Sequence, residues 1–162
     1  MRAARARRTR GAGLSLQLRR TARSWAPSRR ELTRWASTAL GAHASGRELG
    51  VAVVGAAESR RLNARYRGRD RATNVLSFPA PAPARAACPT PLGDLVICAQ
   101  VLRTEARAQA KPLSAHWAHL VVHGALHLIG YDHERDADAR RMERREIAVL
   151  RRLGFPNPYR SP

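Results

Sequence analysis

Three histidines in the second half of the chain constrain its fold and chemistry more than any other feature. They follow the spacing H-x-x-x-H-x-x-G-x-x-H, as His123, His127, Gly130 and His133. Residues i and i+4 share one face of an α-helix, about 6 Å apart along its axis, so the first two imidazoles can converge on one ion. Gly130 allows the chain to leave the helix with a positive φ and to bring His133 to the same point. The spacing therefore predicts a helix that carries a three-histidine metal site.

Three imidazoles are typical ligands of zinc, which nitrogen atoms bind at about 2.0–2.1 Å. Nickel and copper accept the same ligands and remain alternatives. Three protein ligands leave a fourth position for water, which is the arrangement of catalytic rather than structural zinc sites. Zinc lowers the pKa of such a water to about 7. We therefore expect a hydrolytic site with one Zn²⁺ per chain, bound by His123, His127 and His133.

The residue after the first histidine restricts the type of hydrolysis. Metzincin proteases share the spacing but read H-E-x-x-H-x-x-G-x-x-H, and that Glu is their general base. In this chain the position is Gly124. The sequence therefore predicts a zincin-like metal helix without the protease base, which makes a metallopeptidase the less favoured enzymatic alternative.

Two further histidines precede the motif on the same predicted helix. His116 and His119 lie within an arc of about 80° that also contains His123 and His127. His116 is about 10 Å from His123 along the helix axis, too far to bind the same ion. We regard His116 and His119 as candidates for a substrate groove or for hydrogen bonding near the metal ligands. Simple packing is the alternative.

The hydrophobic pattern of the whole chain predicts one α+β domain. Strands are predicted at residues 14–18, 50–56, 74–78 and 94–98. Helices are predicted at residues 28–40, 58–66, 99–110, 112–129 and 136–153. Because this order lacks regular βαβ alternation, we expect a small mixed four-stranded sheet packed with helices. In the last helix, Ile147, Leu150 and Leu153 are predicted to pack inward.

The chain has a formal net charge of +18, almost all from arginine, and Lys111 is its only lysine. Such an excess attracts polyanions such as RNA, with strong salt dependence. A GC-rich coding sequence produces the same bias, so the charge is only supporting information. Residues 1–13 are predicted to be a disordered basic arm that precedes a domain at 14–162. An early start codon or a mitochondrial transit peptide are alternatives for the arm.

The sequence gives no sign of a membrane or secreted protein. It has no run of about 18 apolar residues, and its Arg-rich start lacks the apolar core of a secretory signal. Cys88 and Cys98 form no CxxC pair and lie in contrasting contexts, which favours reduced thiols. We expect a cytoplasmic protein without a membrane partner.

Three blocks of the sequence resemble a known family. The first is HLVVHGALHLIGYDH at residues 119–133. The second includes YRGRD and TNVLSFP at residues 66–70 and 73–79. The third is LGDLVIC at residues 92–98, followed by Lys111-Pro112 and His116-Trp117. Together and in this order, over about residues 14–160, they are similar to the YbeY family of bacterial rRNA maturation factors.

The resemblance implies a single-strand-specific, metal-dependent endoribonuclease that acts in 16S rRNA 3′-end maturation and ribosome quality control. It implies zinc ligands at His123, His127 and His133, and rRNA and the small ribosomal subunit as partners. Ribosomal proteins or an assembly GTPase are further partners that it implies. Two positions depart from the family pattern, since Arg69 replaces the usual Lys and Ala72 stands where a Pro is common.

The family's functional arginine corresponds to Arg67, which with His123 is our candidate catalytic residue. Arg67 follows a predicted helix and lies in a Gly-containing turn ahead of a strand, where a side chain can reach a cleft. A planar guanidinium pairs with phosphate through two hydrogen bonds and can stabilise charge that develops during cleavage. The non-enzymatic alternative is a ribosome-assembly factor with a structural zinc and a basic, rRNA-binding surface.

Overall fold

The computed structural model describes residues 13–83 and 85–160, so all of the predicted basic arm except Gly13 lies outside the described residues. The strands are β1 (Ser15–Arg20), β2 (Arg47–Val54), β3 (Val75–Pro79) and β4 (Thr90–Cys98). The α-helices are α1 (Arg29–Leu40), α2 (Ala56–Arg67), α3 (Ala99–Ala108), α4 (Leu113–Leu128) and α5 (Asp136–Leu153). A short 3-10 helix at Gly41–Ala44 follows α1.

The strands form one sheet in the order β1-β2-β4-β3. The β1–β2 and β2–β4 pairs are parallel, and β3 pairs antiparallel with β4 at one edge. The predicted α+β fold with a mixed four-stranded sheet is therefore confirmed. Both β2 and β4 begin earlier than predicted, since Arg47 and Glu48 pair with Thr90 and Pro91. The polar side chains and the proline ring at these positions do not follow the apolar pattern that predicts a strand.

The two faces of the sheet are covered by different helices. Val53, Leu95 and Ile97 on one face belong to the main core, to which α1, α4 and α5 contribute. Val96 on the other face belongs to a smaller cluster, against which Leu62 of α2 packs. Because alternate residues of a strand point to opposite faces, α2 and α4 lie on opposite sides of the sheet.

Two helices begin where the sequence predicts them. Ser28 caps α1, since its hydroxyl accepts from the Glu31 N–H while the Glu31 carboxylate accepts from the Ser28 N–H. This reciprocal capping box fixes the first turn of α1. Helix α5 has the predicted bounds, Asp136–Leu153.

The inward face of α5 differs in part from the prediction. Leu150 and Leu153 are buried, but Ile147 is only half-buried, and the neighbouring Glu146 is fully buried instead. The buried residues recur at the helical spacing Met142, Glu146, Val149, Leu150 and Leu153. Ile147 therefore lies at the edge of the stripe, and a carboxylate occupies its centre.

Helix α4 lies in the middle of the main core. Trp117, Val121 and Leu126 on this helix are completely buried. It packs against α1, α3, α5 and the strands β3 and β4. A histidine on α4 is therefore held by a rigid element with packed neighbours. Among the described residues, no helix combines the length and apolarity that a membrane span requires.

Candidate metal centre

The structure brings the three predicted metal ligands together at the carboxyl end of α4. His123 and His127 lie one turn apart, with ring centroids 4.7 Å from each other. Gly130 has a φ of 94° and turns the chain back after the helix. The His133 ring then lies 5.6 Å from that of His123 and 4.9 Å from that of His127. One nitrogen from each imidazole lies within 4.8 Å of the other two.

The spacing of these nitrogens fits a single zinc ion. The Nε2 atoms of His123 and His127 are 3.1 Å apart. Two ligands of a tetrahedral zinc at 2.0–2.1 Å are separated by about 3.3–3.4 Å, so both atoms can bind one ion with a small adjustment. The side chain of His133 is 59% exposed, so the centre is open on that side. Three imidazole donors and an open side are features that catalytic zinc sites share.

The environment of His127 keeps its imidazole neutral. Burial, followed by the nearby His123 and His133 rings, lowers the pKa of His127 from 6.5 to about 4. Metal ions bind the neutral form of imidazole. At neutral pH His127 is therefore already in the protonation state that a metal ligand needs.

A buried carboxylate supports the centre from α5, and our reading of the sequence missed it. Glu146 is 0% exposed, and its Oε1 lies 2.5 Å from Nδ1 of His123. Its Oε2 accepts hydrogen bonds from Nε2 of His119, at 3.3 Å, and from the hydroxyl of Tyr159. Because Nδ1 of His123 is bound in this way, its Nε2 is directed toward His127. A carboxylate behind a metal-bound histidine fixes the tautomer and the ring orientation.

Charge stabilisation at Glu146 is strong. Burial by itself would raise the pKa of this carboxyl group, but hydrogen bonds from His119, His123 and Tyr159 outweigh it and lower the pKa to about 2. Burial and the adjacent Glu146 raise the pKa of Tyr159. The sequence contains one signal for this role, since Glu146 lies four residues from both Met142 and Leu150 in the apolar stripe of α5.

A second group that could hold a metal ion, formed by His119, His123 and Glu146, shares His123 with the first. In that group the contact between Glu146 and His123 has the length of a short hydrogen bond to a carboxylate. The imidazole N–H groups already satisfy the buried carboxylate without an ion. The geometry therefore favours the His123, His127 and His133 group as the metal centre.

The two histidines in the amino-terminal half of α4 are bonded to carboxylates. Nε2 of His116 lies 2.7 Å from Oε2 of Glu105 on α3, and the Asn74 side chain also donates to Glu105. The hydrogen bond from His116 is the main reason why the pKa of Glu105 is lowered. His116, His119 and His123 line one hollow of about 340 Å³. The structure thus places both predicted groove residues beside the metal centre, and a role in substrate binding remains a prediction.

Gly124 faces the sheet rather than the histidines. A Cβ at this position would lie 2.8 Å from Cδ2 of Leu95 and 3.3 Å from Oγ of Ser77. Real Cβ atoms essentially never approach another heavy atom as closely as the first of these distances. The helix and the sheet therefore touch at the position where metzincins carry their catalytic Glu. A Glu here lacks space unless Leu95 moves away.

Arg67 is the predicted site residue that the structure does not join to the histidines. It is the last residue of α2 and is exposed, and α2 lies on the other face of the sheet from α4. Its neighbour Tyr66 packs edge-on against Phe78 of the edge strand β3, with 5.1 Å between ring centroids. Within residues 13–83 and 85–160, the Arg67 side chain makes no hydrogen bond or ion pair. Its catalytic role therefore remains a prediction.

These features define a small α+β protein with a three-histidine site of the kind found in catalytic zinc proteins. The sequence model described as endoribonuclease YbeY matches residues 18–154. The chain belongs to the YbeY family, which implies an endoribonuclease that acts in rRNA processing.

A solved structure supports the fold. The solution structure of TM1509 from Thermotoga maritima is similar over 89% of this chain and 99% of that chain, with a TM-score of 0.52. The two sequences are 20% identical. At that identity the similarity bears on the fold alone, and it agrees with the small α+β domain described above.

Proposed function

We propose that this chain is a zinc-dependent, single-strand-specific endoribonuclease that acts in 16S rRNA 3′-end maturation and in ribosome quality control. The observation that carries the proposal is the open three-histidine cluster in a member of the YbeY family. His123, His127 and His133 are the proposed ligands of one Zn²⁺. The proposed partners are rRNA and the small ribosomal subunit, with ribosomal proteins or an assembly GTPase as further partners, in the cytoplasm.

Each residue near the centre has a distinct proposed task. His123, His127 and His133 would hold the zinc ion, which would supply Lewis acidity and lower the pKa of a water molecule. Glu146 orients His123 through the hydrogen bond to Nδ1, so that Nε2 stays available as a ligand. The neutral His127 completes the helical pair. Arg67 holds or stabilises the phosphate through its guanidinium.

The residue at position 124 and the net charge support an RNA substrate over a peptide. Without a carboxylate at Gly124, the centre lacks the base that metzincin proteases use. The net charge of +18 favours a polyanionic substrate. Peptide hydrolysis that is removed by a chelator in a nuclease-free preparation would be the result that favours a metallopeptidase.

The proposal is tested by metal analysis together with cleavage of a single-stranded RNA that contains the 16S rRNA 3′ end. We expect about one zinc per chain and cleavage in the wild type, and neither in His127→Ala. His43→Ala is the matched control, because His43 is exposed and lies in the 3-10 helix. Equal cleavage by wild type and His127→Ala would contradict the metal-centred proposal. If metal-ligand variants also support ribosome maturation, the assembly-factor alternative replaces it.

The role of Arg67 needs a separate test. We expect Arg67→Ala to lower the cleavage rate while zinc content stays at the wild-type value, because Arg67 is not one of the proposed zinc ligands. Arg107→Ala is the control for loss of one exposed positive charge. Equal rates for the two variants would remove Arg67 from the proposed mechanism.

A further inference from the structure

The segment after α5 returns across α4 and places an aromatic ring beside the metal centre. Tyr159 in this segment is 47% exposed, although its hydroxyl donates a hydrogen bond to the buried Glu146. Its ring lies 5.4 Å from that of His119, in an edge-to-face arrangement. One part of Tyr159 is therefore fixed in the protein and another part is open to solvent.

Several contacts hold Tyr159 in place from different elements. Its hydroxyl donates to Glu146 of α5, which also binds His123. Its backbone N–H donates to Oδ1 of Asn157 at 2.9 Å. The carbonyl of Pro158 accepts a hydrogen bond from Nζ of Lys111. A ring fixed in advance loses little conformational freedom when a ligand packs on it.

The space next to this ring reaches one of the proposed metal ligands, His123. Tyr159 and His123 line the same hollow of about 340 Å³, together with His119 and Leu120. This volume falls in the range of about 300–1,000 Å³ that is usual for small-molecule pockets. A flat group that stacks on Tyr159 would lie next to a proposed zinc ligand.

Single-stranded RNA supplies such flat groups. Its unpaired bases stack on exposed aromatic side chains, and this contact tolerates any sequence because every base has a π-face. We propose that the exposed part of Tyr159 is a stacking platform for an unpaired nucleobase adjacent to the phosphodiester that is cleaved. The inference rests on the proposed function, because the base belongs to the RNA substrate. Tyr159 is here a substrate-binding residue, and its ring, not its hydroxyl, makes the contact.

The test uses the full chain with His127→Ala to prevent cleavage, and a short single-stranded RNA with one 2-aminopurine placed at successive positions. Stacking quenches 2-aminopurine fluorescence. The RNA labelled at one particular position should therefore lose fluorescence when it binds the His127→Ala protein, which retains Tyr159. Tyr159→Phe keeps the ring and should retain the quenching, whereas Tyr159→Leu should lose it. Loss of one stacked base should also raise the dissociation constant of the Leu variant by roughly 5- to 150-fold.

Trp25→Leu is the matched control, because Trp25 is another exposed aromatic residue, and it should leave the quenching unchanged. If Tyr159→Leu binds and quenches as the parent does, the inference is wrong. It is also wrong if Tyr159→Phe loses as much quenching and affinity as Tyr159→Leu, since the hydroxyl contact to Glu146 would then account for the RNA binding. Cleavage by the wild-type chain without position-specific quenching rejects the platform alone, and failure to bind or cleave RNA rejects the proposed function as well.

Should Tyr159→Leu fold poorly by circular dichroism, photocrosslinking of a 4-thiouridine RNA to the parent protein provides a second measurement. A crosslink in the peptide that contains Tyr159 is the expected result. Crosslinks confined to peptides of other elements would overturn the proposal.

Discussion

The two halves of α4 carry the same residue type and use it in different ways. In the amino-terminal half, His116 and His119 each place Nε2 against a carboxylate, Glu105 or Glu146. In the carboxyl-terminal half, His123 and His127 direct their Nε2 atoms toward each other, 3.1 Å apart. The helix repeat puts all four on one side of α4. The difference between them therefore comes from the elements packed against each half.

A carboxylate occupies Nε2 of His116 and His119, whereas the carboxylate at His123 contacts Nδ1 and leaves Nε2 available to a metal. Carboxylates from α3 and α5 approach the first half, so those Nε2 atoms are already satisfied. Beyond His123 the partners are other histidines, because the chain turns at Gly130 and returns with His133. His123 belongs to both halves, since Nδ1 contacts Glu146 and Nε2 faces His127.

The largest expected effect comes from removing a histidine of the second half. His127→Ala should lower zinc affinity by more than about 100-fold, the upper end of what loss of a supporting residue costs. His116→Gln in the first half should leave zinc content at the wild-type value. Both are measured by inductively coupled plasma mass spectrometry after dialysis. Equal loss of zinc in the two variants would show that the two halves of α4 do not differ in metal binding.

The next effect concerns Glu146, where the halves meet. Glu146→Ala should weaken zinc binding by about 10–100-fold, because His123 loses the partner that orients it. It should also lower the free energy of unfolding by about 1–3 kcal/mol for each buried group left without a partner. Competition with a chromophoric chelator gives the affinity, and urea denaturation gives the stability. Unchanged zinc affinity in a folded variant would show that Glu146 only fills the core.

A smaller effect, limited to stability, is expected at Glu105. Glu105→Gln should cost about 1 kcal/mol at pH 7, since the carboxylate is partly exposed and solvent screens its bond to His116. The bond to His116 lowers the folded-state pKa of Glu105 below its ordinary value of 4.5. The contribution is therefore present above that ordinary value and is lost as the pH falls through the lowered pKa.

Urea midpoints of wild type and Glu105→Gln should consequently converge in acid, while zinc content at pH 7 stays the same. A gap between the midpoints that persists or widens at acidic pH would show that the carboxylate charge is not the source of the stability.

An effect on stability of similar size is expected at Gly124, which lies between the halves but faces the sheet. An added methyl group meets Leu95, and overpacking a core costs about 1–3 kcal/mol. Alanine also gains about 1 kcal/mol in helix propensity over glycine. Gly124→Ala should therefore change the unfolding free energy by less than about 2 kcal/mol, with full zinc binding. Loss of zinc from the folded Ala variant would mean that this position does influence the ligands.

Local patterns were sufficient to predict the order of strands and helices along the chain and the spacing of the proposed ligands. The bounds of α5 and the capped start of α1 follow from residues within each helix. His123 and His127 meet because i and i+4 positions always do, and His133 needs only the turn at Gly130. All of these relations extend over a few residues of the chain.

Contacts between segments that are distant in the sequence could not be predicted from it. Glu146 lies 23 residues from His123, and no spacing rule links α5 to α4 across the intervening turn. Tyr159 is farther still, and its position depends on how the last segment returns over the helix. Arg67 is a candidate only through the family resemblance, since an exposed arginine at the end of α2 resembles many others in this chain.

The close contact at Gly124 limits how this protein can change over evolution. A single substitution that introduces a Glu after His123 would complete a metzincin-type sequence, yet the new side chain would be forced between α4 and Leu95. The gap between helix and sheet would have to widen before such a residue became useful. The packing distance between Gly124 and Leu95 therefore opposes the change that would supply a metzincin-type base. Attempts to engineer a peptidase from this scaffold should begin with Leu95 and Ser77.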